Sequence, residues 1–476
     1  MNFAHKIVLI DKYVCGERGG WFLAVKQGTH FIGIGGSGMS GLAKILLELG
    51  QPVSGSDLEP SRTTKRLEEL GAKIFYGHRR ENIGPETHTV VRSTAISPTN
   101  EEILQAKELG IPIIHRGDFL AKLCEGQKPI TVAGAHGKTT TTSMLAHIFL
   151  QADLDPTIYV GGELQEIGGN AKYGKGEYLI AEADESDGSF LKLRPYIAVV
   201  TNIEDDHLEH YGSKENLVKA FAEFLSLVAE EGFSVLCLDD PEVNKLAAKV
   251  KKKITYGLKP GAEYTARDII YHPDCTRAVI YHKEKKLGIL ELPVPGIHNM
   301  SNALAAVAVS HQVGIDFQVI ATGLKKFQSA GRRFQTIGIV NDVHIIDDYA
   351  HHPTEIRATL KAARQLEPNR IWAVFQPHRY TRTRQLFKEF GGAFGDADKV
   401  IVNSIYAASE NPIPGITGEL VTEEIKKHGV DAVFMEDKSE IVDLLARETR
   451  QGDLVITIGA GHIWTVGKDL HERMQK

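Results

Sequence analysis

One loop carries the strongest chemical signal in this sequence: Gly134-Ala135-His136-Gly137-Lys138-Thr139-Thr140. It stands between an apolar, β-branched run and a stretch with helical spacing. Small residues let backbone N–H groups wrap a phosphate, and a helix N-terminus adds partial positive charge. Lys138 can meet the β- and γ-phosphates, and the Thr139 hydroxyl can ligate Mg²⁺. The strict P-loop pattern requires glycine at position 132, where this chain has Val132, so the loop is a shortened one. Alone it supports binding of a nucleoside triphosphate. The plainer alternative is a glycine turn with an incidental lysine.

Acidic residues fall on neighbouring strand ends. Glu182 opens Glu182-Ala183-Asp184-Glu185-Ser186-Asp187, and His207 closes Thr201-Asn202-Ile203-Glu204-Asp205-Asp206-His207. Oxygen ligands suit Mg²⁺, with water and phosphate filling the remaining positions. Histidine is a less usual ligand for that ion, so His207 by itself also fits a structural loop residue. The acids likewise fit a solvated face.

A second glycine turn, Gly33-Ile34-Gly35-Gly36-Ser37-Gly38, matches GxGxxG, and Asp57 lies about 20 residues on, where a ribose-binding acid would stand. Taken literally this predicts NAD, although the same geometry cradles any diphosphate. Further along, Asp347-Asp348-Tyr349-Ala350-His351-His352-Pro353 follows Arg332-Arg333, and Gln376-Pro377-His378-Arg379-Tyr380-Thr381-Arg382 forms another polar run. Arg379 and Arg382 share one face if a helix starts there, and arginine forks suit carboxylates or phosphates. Exposed helix arginines are the alternative.

These residues need elements to hold them. Strand-like runs at 31–34, 90–91, 130–133, 178–181, 197–200 and 234–238 alternate with helical stretches such as 39–49 and 215–230. Further strands are expected at 344–347, 371–375, 399–403 and 454–458, and an alternating, β-rich excursion at 262–292 precedes a helix at 299–312. The pattern predicts α/β units with mostly parallel sheets and helices on both faces. In such sheets ligands sit beyond the carboxyl ends of the strands. The candidate residues stand at those ends.

With 476 residues the chain exceeds one ordinary core, so two or three domains are expected. A net charge of −6 argues against a nucleic-acid or anionic-membrane surface. Cys15, Cys124, Cys237 and Cys275 have no metal-type spacing, which fits incidental thiols in a reducing compartment. There is no signal-like N-terminus and no run approaching the ~18 apolar residues of a membrane span. A cytoplasmic location is expected.

Together these segments resemble the Mur ligase family. The match runs in order from about His30 to the C-terminus, through HFIGIGGSGMSGLA, GAHGKTTTT, IAEADESDGSF, VVTNIEDDH, PGIHNMSNA, GRRFQ, DDYAHHPTEI and FQPHRYTRTR. GAHGKTTTT identifies the superfamily. ADESD, DDYAHHPTE and QPHRYTRTR point to the branch that performs the first ligation.

The resemblance implies three domains after an extension, 1–28, of open role. These are a Rossmann-like UDP-sugar-binding domain at 29–126, a central P-loop-type ATPase domain with a mostly parallel sheet at 127–330, and a C-terminal Rossmann-like α/β domain at 331–476. The implied reaction is ATP-dependent ligation of L-alanine to the carboxylate of UDP-N-acetylmuramate through an acyl phosphate, in peptidoglycan precursor synthesis. ATP and Mg²⁺ are the implied cofactors. No nucleic-acid partner and no membrane insertion are expected.

Carried over by position, Gly134, Ala135, His136, Gly137, Lys138, Thr139 and Thr140 would bind the triphosphate, and Thr139, Glu182 and His207 would ligate Mg²⁺. Asn299 and Asn302 would meet the adenine end, with Arg333 and Asp348 contributing from the third domain. Lys138, Glu182, His207 and Arg333 are the implied catalytic set. Gly35, Gly36, Ser37 and Gly38 would lie at the diphosphate of a UDP-sugar rather than NAD, with Asp57, Ser93 and Thr94 as further substrate-side candidates. Tyr349, His351, Arg379 and Arg382 would surround the reacting carboxylate and the amino acid. Rival readings are a recycling ligase that attaches a tripeptide, an NAD-dependent oxidoreductase and a non-catalytic nucleotide-binding regulator. Choice among L-alanine, glycine and L-serine is left open, because one methyl group is worth only about 1–3 kcal/mol in a pocket.

Overall fold

A computed structural model describes residues 27–272, 275–408 and 410–475. Nearly all of the 1–28 extension, including Cys15, therefore lies outside the described residues. The chain divides into two compact units, one running to Thr265 and including Leu304–Gly323, the other formed by Ala266–Ala303 and Leu324–Lys476.

In the first unit, a five-stranded parallel sheet has the order Lys73–Tyr76, Val53–Asp57, Gly28–Ile32, Thr87–Arg92, Ile113–His115. The chain leaves Gly28–Ile32 for one neighbour and later returns to the other. The order therefore reverses beside this strand, and a crevice opens beyond its carboxyl end. Helix Ser37–Glu48 follows, burying Met39, Leu42, Ala43, Ile45 and Leu46. The strand expected at 31–34 ends at Ile32 because Gly33, at φ +76°, already begins the turn.

A second sheet in this unit has the order Lys253–Gly257, Phe233–Cys237, Ile197–Val200, Lys128–Ala133, Tyr178–Glu182, Thr157–Leu164, Gly169–Lys172. Its strands are parallel except for the last pair. Lys128–Ala133 lies at its centre, and the strand on either side comes later in the chain, so the order reverses here as well. One apolar cluster joins both sheets, from Phe31, Leu42 and Leu46 through Phe119 and Phe190 to Phe221 and Phe224. Phe190 packs on Phe221 and Phe224 with ring centroids 5.2 and 5.0 Å apart. The helix expected at 215–230 is Lys214–Ser226.

In the second unit, Thr276–His282 and Lys285–Leu292 form the expected antiparallel pair. A six-stranded sheet follows in the order Gln335–Val340, Val343–Asp348, Leu454–Ile458, Ile371–Phe375, Lys399–Val402, Asp431–Phe434, parallel except for its first pair. Both faces are buried, and the twofold period of a strand shows how. Ile371, Ala373 and Phe375 face a core with Ile356, Leu360, Phe390, Val421 and Ile425. Trp372 and Val374 face the opposite core, with Ile441, Leu445, Val466 and Leu470. Continuous apolar runs such as Ile371–Phe375 are what a strand covered on both sides requires.

Candidate active site

Val132 is opposite Glu182 on one side of the central strand, and Ala133 is opposite Val200 on the other. Three carboxyl ends therefore open side by side. Gly134, at φ +139°, begins the loop, and a Cβ there would overlap Thr201 Oγ1. Gly137, at φ +82°, is the N-cap of helix Lys138–Gln151. Both positions favour glycine because L side chains clash in that backbone region.

The loop is pinned from the neighbouring strand end. Ala135 N–H donates to Asn202 O (3.2 Å) and His136 N–H to Asn202 Oδ1 (2.8 Å). The Thr201 hydroxyl and Asn202 Nδ2 donate back to His136 O at 2.6 and 3.0 Å. These bonds hold the loop's shape. The N–H groups at the start of the following helix have no intrahelical acceptor and are the groups suited to an anion.

Lys138 Nζ donates to Gly134 O (2.5 Å), Ala135 O (3.2 Å) and Glu185 Oε1 (2.7 Å). Burial opposes its charge, but Glu185, Glu182 and Asp184 outweigh burial and raise its pKa. The ammonium therefore keeps its proton. Burial pushes the Glu185 carboxyl up to about 7, against the pull of Lys138. Beside this pair, the Thr139 hydroxyl reaches both oxygens of Glu182, at 3.1 and 3.0 Å, and Gly161 N–H donates to Glu182 Oε2 at 2.8 Å. Thr140 is the next residue of the helix.

His207 has φ +58° and precedes the short helix Leu208–Tyr211. Its Nε2 is 3.5 Å from Asp206 Oδ2 and 3.9 Å from Glu185 Oε1. His136 Nε2 is 3.3 Å from Glu204 Oε2. Arg116 ion-pairs with Asp184 and, at 3.4 Å, with Asp187. Burial alone would raise Asp184, but Arg116 reverses this and holds it well below the usual carboxylate range.

In the five-stranded sheet, Gly33 and Ile34 donate to Ser56 O at 2.8 and 2.9 Å. Gly35 N–H donates to Asp57 Oδ2 at 2.8 Å, so Asp57 holds the turn closed. Gly36 is the N-cap of the following helix. Ser37 O accepts from Asn170 Nδ2, and Gly38 O from the Tyr159 hydroxyl at 3.0 Å. Ser93 and Thr94 follow the Thr87–Arg92 strand, half-buried and exposed respectively. A cavity of about 120 Å³ lies here; Gly35, Ser37, Lys44, Arg66, Glu163 and Asn170 contribute to its walls.

In the second unit, Asn299 and Asn302 are buried one turn apart on helix Ile297–Gln312, and Asn299 Nδ2 donates to Pro295 O at 2.6 Å. Asp348 accepts from Phe334 N–H (2.7 Å), Ala350 N–H (2.8 Å) and the Thr359 hydroxyl (3.3 Å). Burial pushes it up to about 6, against Arg333. The Arg333 guanidinium is 5.1 Å from the Tyr349 ring centre and 3.9 Å from Glu355. Tyr349 and His351 meet edge to face at 5.5 Å, and His351 is 5.7 Å from His378. His378 stacks on Tyr406 and lies 3.3 Å from Arg382 Nη1. Arg379, at φ +70°, precedes helix Tyr380–Gly391 and donates its N–H to Tyr406 O. The structure thus links Tyr349 to His351, His351 to His378 and His378 to Arg382. Sequence reasoning had assigned no role to Arg116, Glu185, Asn202, Glu355 or Tyr406. Glu185 stands within the quoted ADESD run, but nothing local marks it as the partner of Lys138.

Three family profiles match in chain order: Mur ligase family, catalytic domain, over 28–128; Mur ligase middle domain over 132–310; and Mur ligase, glutamate ligase domain, over 332–461. The chain belongs to the Mur ligase family. It therefore has that family's three-domain α/β architecture and is an ATP-dependent, amide-bond-forming ligase. Membership removes the oxidoreductase reading of Gly33–Gly38. Within the family, the UDP-N-acetylmuramate–L-alanine ligase of Pelotomaculum thermopropionicum is 54% identical, over 95% of this chain and 98% of that protein. The enzyme of the same name from Carboxydothermus hydrogenoformans is 50% identical, over 93% and 96%. Among solved structures, UDP-N-acetylmuramate-alanine ligase from Thermotoga maritima superposes with a TM-score of 0.82 at 30% identity, covering 94% of this chain and 99% of that one. A murein peptide ligase from Psychrobacter arcticus shares the fold, with a TM-score of 0.71 at 23% identity over 94% and 98%.

Proposed function

We propose that this protein joins L-alanine to the carboxylate of UDP-N-acetylmuramate at the expense of ATP, in peptidoglycan precursor synthesis. The observation that carries the phosphoryl chemistry is the pairing of Lys138 and the Thr139–Glu182 couple at adjoining strand ends. The choice of sugar nucleotide and amine rests on relatives of that name, 54% and 50% identical along nearly the whole chain. The described residues include no helix long and apolar enough to cross a membrane, which accords with a cytoplasmic enzyme.

A carboxylate is a poor acyl donor, so its oxygen first attacks the γ-phosphate of ATP, giving an acyl phosphate and ADP. Lys138 offsets charge on the phosphates during transfer, and the helix start behind Gly137 adds its dipole. The neutral amine of L-alanine then attacks the acyl carbon, and phosphate leaves through a tetrahedral intermediate. No protein nucleophile is needed. Thr139 and Glu182 form an oxygen-donor pair that fits Mg²⁺, and His207 is our third candidate ligand. Bound there, Mg²⁺ would neutralise phosphate charge. Asn299, Asn302, Arg333 and Asp348 are assigned to the nucleotide, and Gly35, Gly36, Ser37 and Gly38, with Asp57, Ser93 and Thr94, to the UDP-sugar. Tyr349, His351, Arg379 and Arg382 are assigned to the reacting carboxylate and L-alanine. The domain divisions near 29, 127 and 331 belong to the same reading.

Phosphate release from ATP and UDP-N-acetylmuramate tests this directly, with L-alanine, glycine, L-serine and the L-alanine-containing tripeptide supplied in turn. Turnover strongest with L-alanine is the expected result. Turnover with the tripeptide and none with L-alanine would show the recycling ligase instead.

A further inference from the structure

Lys138 is held by three acceptors of two kinds. Two are carbonyls of its own loop, Gly134 O and Ala135 O, and the third is the Glu185 carboxylate at 2.7 Å. Glu185 is 3% exposed, and its own position is fixed through the backbone, because the Tyr211 hydroxyl donates to Glu185 O at 2.5 Å. Its Oε1 faces Lys138, with the His207 ring beyond at 3.9 Å, while its Oε2 is buried and has no hydrogen-bond partner among the described residues. A carboxylate is rarely buried in this way unless a fixed cation faces it. Here that cation is the side chain the phosphoryl transfer depends on.

An ammonium on a four-carbon stem is a mobile point charge. The loop carbonyls hold Lys138 only where the loop itself is, whereas Glu185 comes from a different strand end, beyond Tyr178–Glu182. From this geometry we infer that Glu185 is a positioning residue: it fixes the Lys138 ammonium at the place where the transferring phosphoryl group passes. The inference rests on the ligase reading above. In this role Glu185 acts through Lys138, to which its Oε1 is bonded. Its removal frees Lys138 to swing and also removes a negative charge that competes with ATP for the ammonium. The chemical step suffers, and capture of ATP does not.

The test uses the full chain and the phosphate-release assay with ATP, UDP-N-acetylmuramate and L-alanine, comparing wild type, Glu185→Gln and Glu185→Ala. Gln keeps an acceptor oxygen at the same reach, and Ala removes it. Expected is a fall in kcat of on the order of 10-fold or more for Glu185→Ala, with the KM for ATP unchanged or lower, and a kcat for Glu185→Gln between that of Ala and wild type. Thermal unfolding midpoints establish that each variant is folded; should the Ala protein not fold, a reduced kcat with unraised ATP KM in the Gln protein is the deciding result. A kcat within twofold of wild type in the folded variants overturns the inference, as does a loss expressed as a raised KM for ATP. If wild type itself does not turn over these substrates, the ligase reading fails instead.

Discussion

The Thr139 hydroxyl lies 3.1 and 3.0 Å from the two carboxylate oxygens of Glu182, across adjoining strand ends of the central sheet and 43 residues apart in the chain. One is the first hydroxyl after Lys138, and the other is the acid that closes the neighbouring strand. This relationship makes the proposed nucleotide-binding loop a candidate magnesium site as well. Glu182→Gln keeps the size and the hydrogen bond but loses the charge. We expect kcat to fall by on the order of 10² or more, with the Mg²⁺ concentration for half-maximal rate raised. Magnesium titrations of phosphate release check it. An unchanged magnesium dependence would remove Glu182 from the metal site.

Gly134 gives a second prediction, about loop shape rather than charge. Its φ of +139° disfavours any side chain, and an added methyl group would run into Thr201 Oγ1, which holds His136 O. Gly134→Ala should therefore move the loop away from the Thr201–Asn202 strand end. ATP affinity should fall at least about 10-fold, the equivalent of 1.4 kcal/mol of displaced contacts. Calorimetric titration with ATP measures this. Gly212, at φ +75° with open space around it, is the control, and Gly212→Ala should leave ATP affinity unchanged.

The third prediction concerns pH. Asp348 is buried and is pushed up from 3.8 to about 6, so the folded protein binds that proton more tightly than the unfolded chain does. The sign follows from linkage: this contribution is full below the unfolded pKa and is lost as pH rises through about 6. Asp348→Asn cannot titrate. The stability difference between wild type and this variant should therefore change by about 2–3 kcal/mol between pH 4 and pH 7, with wild type gaining toward the acid side. Denaturant unfolding of both proteins across this range decides it, and a constant offset would show that Asp348 does not titrate in that window.

Much of the fold was legible because its signals are local. Ile371–Phe375 and Leu454–Ile458 are uninterrupted apolar runs and lie where expected, since a strand buried on both faces needs no polar alternation. The edge strand Asp431–Phe434 was not anticipated, because it is short and has an exposed, polar start that resembles a loop. Asp57 illustrates a different limit. Its distance from the glycine turn points to a ribose contact; that its carboxylate also accepts the Gly35 N–H is decided by how two parallel strands align.

What the sequence by itself determined is the glycine loop with its lysine at a helix start, the order of the α/β units and the family, because glycine spacing, a lysine at a helix start and apolar periodicity are properties of consecutive residues. Tertiary structure decided which side chains meet. Tyr178–Glu182 and Ile197–Val200 flank Lys128–Ala133 only because later strands insert on both sides of an earlier one. That insertion brings Glu182 to Thr139, Glu185 to Lys138 and Asn202 to the loop backbone. Such contacts span 43 to 66 residues of chain. No local pattern encodes them, because their geometry is set by strand order and by the packing that fixes it.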